Sequence, residues 1–313
     1  MADHTTYGLV CSELSEDLSK TNLGELKLDS FQDNSVKIKI KAASLNFPDL
    51  LMTQGKYQNR PDLPFALGME GAGIVEKVGS GVSSFKEGDE VMFGGWGHGA
   101  IAESIILPEG LVSLKPKSLN FSEAASFKTA YLTAYVGLIR RGELKQGETL
   151  LVHGASGGVG MAAVQMGKLY GAKVIASGTS DEKLKIVKTW GADEIINTGL
   201  EGSVSFREEV KELTDGKGAD VIYDPVGGDV FDESIRCINW GGRLLIIGFT
   251  SGRIPTVPVN YPLIKGFSVI GVRAGEFGRR DPEKGRENNE IIMELAESGK
   301  LKPHTVSYTH LTL

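Results

Sequence analysis

The chain lacks the residues that disulfide-rich, zinc-lobed and membrane-spanning proteins need. Its 313 residues include two cysteines, Cys11 and Cys237, which cannot build a disulfide framework or a four-cysteine zinc lobe. No apolar run approaches the roughly 20 residues of a membrane-spanning helix. The first residues have neither the basic nor the apolar stretch of a secretory leader. We therefore expect a cytoplasmic protein from a reducing compartment.

The chain also has fewer basic than acidic residues. The 34 lysines and arginines are outnumbered by 40 acidic residues, which gives a net charge of −6. Nucleic acids and anionic membranes bind basic surfaces, so we expect neither as a partner. Hydrophobic residues make up 41% of the chain, enough for a substantial core. At about 150 residues per domain, the length predicts two domains.

Glycine, by contrast, is abundant. The chain has 41 glycines and 11 prolines, and the glycines fall between apolar runs, which indicates tight turns. Residues 1–122 are predicted to form a β-rich domain with strands at 36–41, 73–79 and 88–94. Residues 36–41 alternate lysine with valine or isoleucine, which is typical of a strand with one wet face.

From residue 123 onward, the pattern predicts alternating helices and strands. A helix capped by Ser122 is expected to reach Arg141. Further strands are predicted at 149–153, 173–176, 194–196, 221–223 and 244–247, and helices at 161–170, 181–190, 206–213 and 231–238. Short apolar strands separated by helices favour a parallel sheet covered on both faces. The fold class is therefore α/β, with a doubly wound parallel sheet after a β-rich domain.

The strongest motif is a glycine-rich turn between a predicted strand and a predicted helix. It fits the dinucleotide pattern G-x-G-x-x-G with Ala155 in the first position. Gly157 would let the backbone approach a pyrophosphate, and Gly160 would let helix and strand pack closely. The predicted phosphate-binding residues are Ser156, Gly157, Gly158, Val159 and Gly160. The alternative is an ordinary glycine turn without a ligand.

The second strand of this unit ends without the acidic residue that holds the ribose hydroxyls in NAD sites. Hydroxyl groups and a lysine stand there instead, where they would suit a 2′-phosphate. The residues predicted to hold it are Gly178, Thr179, Ser180 and Lys183. NADP(H) is therefore the expected cofactor. Asp181 and Glu182 are expected only to cap the next helix, since Thr179 and Glu182 have capping-box spacing.

Several motifs together resemble one superfamily. They lie at 45–49, 55–57, 67–73, 85–89 and 223–227, in addition to the glycine turn. With them, the chain resembles the medium-chain dehydrogenase/reductase superfamily from about residue 7 to about residue 304, and most closely its zinc-free quinone oxidoreductase (zeta-crystallin-like) branch. The resemblance implies a GroES-like catalytic domain at 1–122 and a Rossmann domain at 123–259. Residues 260–313 would hold the last Rossmann strand and return towards the catalytic domain.

The resemblance also bears on zinc. Zinc alcohol dehydrogenases of this superfamily carry a cysteine near Asn46 and a histidine at the position of Met69, so both metal ligands are replaced here. Without a Lewis acid, a simple ketone is a poor hydride acceptor. A quinone or an enone spreads the incoming charge, which hydrogen-bond donors can stabilise. No metal is expected.

The resemblance implies further site residues. Asn46, Tyr57 and Arg273 would line the nicotinamide end of the site as the catalytic candidates, and Asn46 and Arg273 would also contact the cofactor. The remaining predicted cofactor contacts are Thr133, Val226, Gly248 and Phe249. Each catalytic candidate has a plainer alternative. Asn46 would cap a turn, Tyr57 would pack on the β-rich domain, and Arg273 would form a surface ion pair.

Three functions follow as hypotheses. The first is an NADPH-dependent quinone reductase, and the second is a reductase of enoyl or acrylyl thioesters or of enones. The third is a non-catalytic NADPH-binding protein, since a fold does not fix a function. The sequence does not separate the first two. Family resemblance also implies a homodimer, paired through an exposed edge strand at 267–272.

The C-terminus is expected to be unnatural. Relatives continue past the equivalent of His304 with a strand, a helix and a final strand. Residues 306–313 do not resemble the family, and they look like the translation of a transposase adapter used in DNA sequencing, which predicts an assembly artefact. The alternative is a divergent tail that forms an edge strand, since Tyr308, His310 and Thr312 alternate with other residues.

Overall fold

The computed structural model describes residues 5–94, 98–199 and 206–306. They fall into two compact units. One takes the described residues of Met1–Thr129 and Lys302–Leu313, and the other takes those of Ala130–Leu301. The domain boundaries drawn at 122 and 259 from the sequence stay predictions. Apart from Val306, the C-terminal segment predicted to be an artefact lies outside the described residues.

The first unit is built from strands in two sheets. Its described strands are β1 (Thr5–Cys11), β2 (Thr21–Lys27), β3 (Ser35–Ser44), β4 (Phe65–Ala66), β5 (Glu70–Val78), β6 (Glu90–Gly94), β7 (Ser104–Pro108) and β8 (Val112–Leu114). An antiparallel sheet has the order β7-β3-β5-β6-β8, and a smaller one has the order β2-β1-β4. In β3, Val36 and Ile38 are fully buried while Lys39 is exposed, so the predicted alternation is confirmed.

The helices of this unit are short. They are α1 (Phe47–Thr53) and α2 (Phe121–Ala125), with a 3₁₀ turn at Glu109–Leu111. The predicted cap at Ser122 is wrong. Asn120 caps α2, because its side chain accepts a hydrogen bond from the Glu123 N–H while the Glu123 carboxylate accepts one from the Asn120 N–H, both at 2.9 Å.

The predicted continuous helix to Arg141 is also wrong. After α2 ends, α3 (Lys128–Tyr135) follows, and a π-helical turn spans Val136–Arg141. The break coincides with Ser126, whose hydroxyl donates to the Ser122 carbonyl at 3.0 Å. Such a bond from a side chain back to the preceding turn competes with continuation of the helix.

The second unit alternates strands and helices. Its described strands are β9 (Thr149–Val152), β10 (Lys173–Gly178), β11 (Glu194–Asn197), β12 (Ala219–Asp224), β13 (Ile238–Ile246) and β14 (Ser268–Gly271). The helices after α3 are α4 (Gly158–Leu169), α5 (Asp181–Thr189), α6 (Arg207–Leu213), α7 (Gly228–Cys237), α8 (Asn260–Lys265), α9 (Ala274–Arg280) and α10 (Pro282–Glu297). Within the described part of the chain, none of the helices is both long and apolar enough to cross a membrane.

All six described strands of the second unit form one parallel sheet in the order β11-β10-β9-β12-β13-β14. The predicted doubly wound sheet is thus confirmed, and β14 lies at its edge, as predicted for 267–272. The core on this sheet includes Leu151, Ile175, Ile222 and Leu244, each almost completely buried. The strand order reverses between β9 and β12, which is where such folds bind nucleotides. The glycine turn follows β9 at that point.

Candidate functional site

The glycine turn is attached to the neighbouring strand. Gly154 has a φ of +54°, which favours glycine, and a Cβ added there would lie 3.3 Å from Cγ2 of Val226. The Ala155 N–H donates to the Ser177 carbonyl of β10 at 3.0 Å. The Gly157 N–H donates to the Gly154 carbonyl at 2.9 Å. The structure therefore fixes the turn and places it beside Val226, a predicted cofactor contact.

The three glycines at the start of α4 differ in the space around them. A Cβ at Gly160 would lie 2.4 Å from the Gly154 carbonyl oxygen and 2.8 Å from Cα of Ala155. A Cβ at Gly157 would lie 3.3 Å from the same carbonyl, and one at Gly158 would meet nothing within 4 Å. Helix packing therefore requires Gly160, while the outer side of the turn is open. The first N–H groups of a helix in this setting bind phosphate.

A buried histidine, His153, directly precedes the turn. Its Nδ1 lies 2.6 Å from Oγ of Ser177, and its Nε2 lies 2.9 Å from Oγ of Ser234. The Ser234 hydroxyl donates to the Val230 carbonyl at 2.6 Å, so Nε2 carries the ring proton and the Ser177 hydroxyl donates to Nδ1. Burial lowers the pKa of His153 to about 3. A neutral imidazole thus joins β10 to α7 next to the turn.

The residues predicted to hold a 2′-phosphate lie along the connection from β10 to α5. Gly178 ends β10, and Ser180 is the N-cap of α5, where its hydroxyl accepts from the Lys183 N–H at 3.4 Å. The predicted capping box of Thr179 and Glu182 is wrong, because Ser180 occupies the cap position one residue later. The cofactor role of the four predicted residues stays a prediction.

The loops after β12 and β13 are bonded to each other. Oδ1 of Asp224 accepts from the N–H groups of Val226 and Gly227 at 2.8 and 2.9 Å, and the Asp224 carbonyl accepts from the Gly248 N–H at 3.4 Å. A Cβ at Gly227 would lie 3.0 Å from the ring of Phe249. The structure thus brings three predicted cofactor contacts together at the carboxyl ends of these strands.

In the first unit, Asn46 is the N-cap of α1. Its Nδ2 donates to Oε1 of Glu70 at 3.0 Å and to the Ser44 hydroxyl at 3.3 Å. The Asp49 carboxylate accepts from the Asn46 N–H at 2.7 Å and from the Gly68 N–H at 3.1 Å. The residue thus occupies the cap position, as in the plainer alternative, but its side-chain amide is bonded to Glu70 and Ser44, and Asn46 is only half-buried. Its contact with cofactor or acceptor stays a prediction.

Glu70 is a further candidate, which the sequence motifs alone did not predict. Its residue is 1% exposed, and its carboxylate also accepts from the Ser44 hydroxyl and the Thr129 N–H, each at 2.8 Å. Burial raises the pKa of Glu70 against these hydrogen bonds. Burial lowers the pKa of Lys128, and the charge of Glu70 opposes that shift. The sequence signal for Glu70 was that it directly follows Met69, and Met69 occupies the position at which the zinc enzymes have a metal ligand.

Asp49 is a second buried carboxyl group beside Asn46. Burial, with a smaller contribution from the charge of Glu70, raises the pKa of Asp49 to about 6 against its two backbone hydrogen bonds. Its residue is completely buried. A carboxyl group with this pKa can give or take a proton close to neutral pH.

Tyr57 packs against an apolar cluster of the first unit. The buried members of the cluster are Cys11, Met52, Phe65, Leu67 and Ile101. Met69, which precedes Glu70, packs on the same cluster. The body of Tyr57 therefore has the packing role of the plainer alternative. A catalytic role for its hydroxyl stays a prediction.

Arg273 lies where β14 leads into α9. Its Nη1 is 3.6 Å from Oε2 of Glu276, which also pairs with Arg279 at 3.0 Å and Arg280 at 2.8 Å. The Arg273 side chain is 49% exposed, which agrees with the ion-pair alternative. Thr133, the remaining predicted contact, lies in α3 and is half-buried. The predicted roles of Arg273 and Thr133 are not tested by these contacts.

The donor set near Asn46 does not suit zinc. A zinc site takes three or four converging Cys, His or carboxylate ligands. Among residues 5–94, 98–199 and 206–306, no three His, Cys, Asp or Glu side chains converge in that way. The position next to Glu70 is held by Met69, whose thioether is not among the Cys, His and carboxylate ligands of protein zinc sites.

Two family profiles match the chain. Residues 32–117 match the alcohol dehydrogenase GroES-like domain, and residues 158–288 match the family described as zinc-binding dehydrogenase. The first match covers most of the antiparallel sheet, and the second starts at Gly158, the first residue of α4, within the glycine-rich motif. The predicted fold class, a GroES-like domain with a Rossmann sheet, is thereby confirmed.

Known proteins match over nearly the whole chain. The quinone oxidoreductase-like protein 2 homolog of Nematostella vectensis is 38% identical over 96% of this chain and 80% of the relative. Quinone oxidoreductase of Escherichia coli, solved as a complex with NADPH, has a TM-score of 0.81 and 29% identity over 95% of this chain and 89% of that one. CurK enoyl reductase has a TM-score of 0.84 and 28% identity over 97% and 91% of the two chains. The chain therefore belongs to the quinone oxidoreductase branch of the medium-chain dehydrogenase/reductase superfamily, and it is an oxidoreductase that depends on a nicotinamide cofactor.

Proposed function

We propose that the protein is a zinc-independent reductase that transfers a hydride from NADPH to a quinone. The observation that carries the proposal is the glycine turn at the strand-order reversal, where Gly160 is required by packing and Gly158 faces open space. The similarity to an NADPH-bound quinone oxidoreductase supports both cofactor and acceptor. The bound cofactor would supply the hydride, and the protein would supply binding, orientation and hydrogen-bond donors.

In this proposal, the residues of the turn bind the pyrophosphate through the N–H groups at the start of α4. The β10–α5 connection binds the 2′-phosphate, with Lys183 as the cation. The other proposed cofactor contacts are Asn46, Thr133, Val226, Gly248, Phe249 and Arg273. Asn46, Tyr57 and Arg273 are proposed to contact the nicotinamide or the acceptor, where donors would stabilise the reduced oxygen.

NADPH is expected to bind at least about tenfold more tightly than NADH, because one charge-assisted contact contributes about 1.5–3 kcal/mol. Lys183→Ala should remove most of this preference. Lys185→Ala, an exposed lysine on the same helix, should keep it. Dissociation constants from isothermal titration calorimetry check the expectation. Equal affinities of the wild type for both cofactors would contradict the assignment of NADP(H).

A second candidate function uses the same hydride step on an enoyl or acrylyl thioester or an enone. The similarity to CurK enoyl reductase favours it as the alternative. A third candidate, a non-catalytic NADPH-binding protein, would keep cofactor binding without turnover.

The deciding experiment follows NADPH oxidation with a quinone, an enone and an acyl-CoA ester, before and after dialysis against a strong chelator. We expect the quinone to be reduced fastest and its rate to be unchanged by the chelator. Preference for the enone or the thioester would select the second candidate. Tight NADPH binding without oxidation would select the third. If the chelator lowered the rate of NADPH oxidation and added zinc restored it, zinc independence would be overturned.

We also propose that the protein is a homodimer formed through the β14 edge. Apolar side chains with at least 64% exposure lie on and near α8, which precedes this strand. They are Ile254, Val259, Leu263 and Ile264. A monomer seldom leaves such a patch and a sheet edge uncovered together.

Multi-angle light scattering should give the mass of a dimer at micromolar concentration. Leu263→Glu with Ile264→Glu should shift it towards the monomer, because the patch would then carry desolvated charges. Leu114→Glu, an exposed leucine of β8, serves as the control and should leave the dimer intact. A monomeric wild type would refute the dimer.

A further inference from the structure

The second unit has a cavity at the amino-terminal ends of its strands, opposite to the ends that carry the glycine turn. Its volume is about 250 Å³, and it is lined where Gly218 leads into β12 and where Cys237 of α7 leads into β13. The turn lies at the carboxyl ends of the strands. Since β12 has six residues, about 17 Å of strand separates the two ends at ~3.3 Å per residue. The cavity is therefore separate from the proposed cofactor site.

The cavity is lined by cations. Of the described residues that line it, none is acidic, and four are basic. These four are Lys211, Lys217, Arg236 and Lys265. Lys211 and Arg236 each pair with a glutamate of their own helix, at 3.3 and 3.4 Å. Within the described part of the chain, Lys217 and Lys265 have no carboxylate partner. Such a surplus of positive charge in a concave site attracts anions.

Lys265 also removes an obstacle to anion binding. The C-terminus of a helix carries partial negative charge on its last carbonyls, which repels anions. Here Nζ of Lys265 donates to the carbonyls of Ile235 and Arg236 at the end of α7, at 3.1 and 3.0 Å. The carbonyls that face this side of the sheet are therefore neutralised by a cation.

The loop that carries Lys217 is fixed by internal hydrogen bonds. Gly216 and Gly218 have φ values of +80° and +91°, which favour glycine. The Lys217 N–H donates to the Thr214 carbonyl at 3.0 Å, and the Gly218 N–H donates to the Thr214 hydroxyl at 2.8 Å. The backbone is thus held in place while the Lys217 side chain stays exposed. Since the backbone is already ordered, only the Lys217 side chain loses conformational entropy when a ligand binds.

An indole stands at the rim of the same cavity. Trp240 is 74% exposed, which is unusual for a residue with so much apolar surface. One edge of its ring lies against Gly266, where an added Cβ would be 3.5 Å from Cε2 and Cζ2. The rest of the ring is open to solvent and can stack with a planar group.

We propose that this cavity binds the phosphate of a small ligand whose planar ring stacks on Trp240, as in a nucleoside monophosphate. The volume is below the roughly 300 Å³ at which sites for drug-sized ligands begin, which suits a phosphate with part of a ring. The cations bind the phosphate, and the indole selects for the ring.

The test is calorimetric titration of AMP into the full chain saturated with NADPH, so that the proposed cofactor site is filled. AMP should bind with a stoichiometry of one per chain. Lys217→Ala and Trp240→Ala should each weaken binding about tenfold, which is the effect of losing one charge-assisted contact or one stacked ring. Lys300→Ala, an exposed lysine of the same unit that does not line the cavity, should change it less than about twofold.

Ribose 5-phosphate and adenosine separate the two parts of the site, and each should bind about tenfold more weakly than AMP. No AMP binding at about 10 mM would overturn the proposal, since that limit corresponds to less than 3 kcal/mol. It would also be overturned if Lys217→Ala and Trp240→Ala bound AMP as tightly as the wild type does. A third contrary result would be that the heat of AMP binding disappears when NADPH is added. If NADPH itself does not bind, the proposed function fails, but the cavity variants still decide this proposal.

Discussion

Gly160→Ala is expected to lower the free energy of unfolding by about 2–3 kcal/mol, the upper part of the range for overpacked positions. The new Cβ would lie 2.4 Å from the Gly154 carbonyl oxygen and 2.8 Å from Cα of Ala155. Both are backbone atoms of a turn that is bonded to β10, so neither can move without breaking those bonds. Urea denaturation measures the loss. NADPH binding should be lost with it, because the same turn is proposed to hold the pyrophosphate.

Gly158→Ala provides the matched control two residues earlier. A Cβ there meets nothing within 4 Å, and alanine favours a helix over glycine by about 0.5–1 kcal/mol. Its stability should therefore be unchanged or slightly raised. If Gly160→Ala is as stable as Gly158→Ala, the packing argument is wrong.

Glu70→Ala is expected to cost about 3–5 kcal/mol of unfolding free energy, because each buried donor left without its acceptor costs about 1–3 kcal/mol. The substitution leaves Nδ2 of Asn46, the Ser44 hydroxyl and the Thr129 N–H without their acceptor. It also removes the charge that opposes the lowered pKa of Lys128. Chemical denaturation at neutral pH gives the difference.

Glu76→Ala on the same strand controls for loss of a glutamate from β5. Glu76 is exposed and lies 3.7 Å from Lys37, so its removal should cost less than about 1 kcal/mol. Glu70→Gln keeps the shape and one acceptor oxygen, and it should fall between the two. A cost for Glu70→Ala as small as that for Glu76→Ala would show that the network does not stabilise the unit.

Local patterns made much of the fold predictable. The alternation in β3 identifies its buried face from Val36 and Ile38 alone, since the period of a strand is two residues. The glycine turn is recognisable because its requirement is steric and local, as Gly160 shows. The edge position of β14 was also predictable, because the sequence resembles a family with an exposed edge strand at this position. In each case, the information lies within a few neighbouring residues or in an established family pattern.

The side-chain network of the first unit was not predictable in the same way. Thr129 reaches Glu70 across 59 positions of sequence, and only the fold brings them together. The helix caps failed for a different reason. Ser122 and Thr179 are both good capping residues, but Asn120 and Ser180 nearby are good ones as well, and these two have the extended backbone that an N-cap requires. Propensity alone cannot make that selection.

The neutral histidine beneath the second unit's turn sets a limit on tolerance to acid. The unfolded chain takes up a proton on His153 near pH 6.5, while the folded chain, with a pKa of about 3, does not. Because the folded pKa is lowered, the stabilisation is complete above pH 6.5 and is lost as the pH falls. By linkage, acid favours unfolding through this one residue by about 2 kcal/mol at pH 5. Burial of this one ring therefore makes the folded protein less stable in acid than at neutral pH.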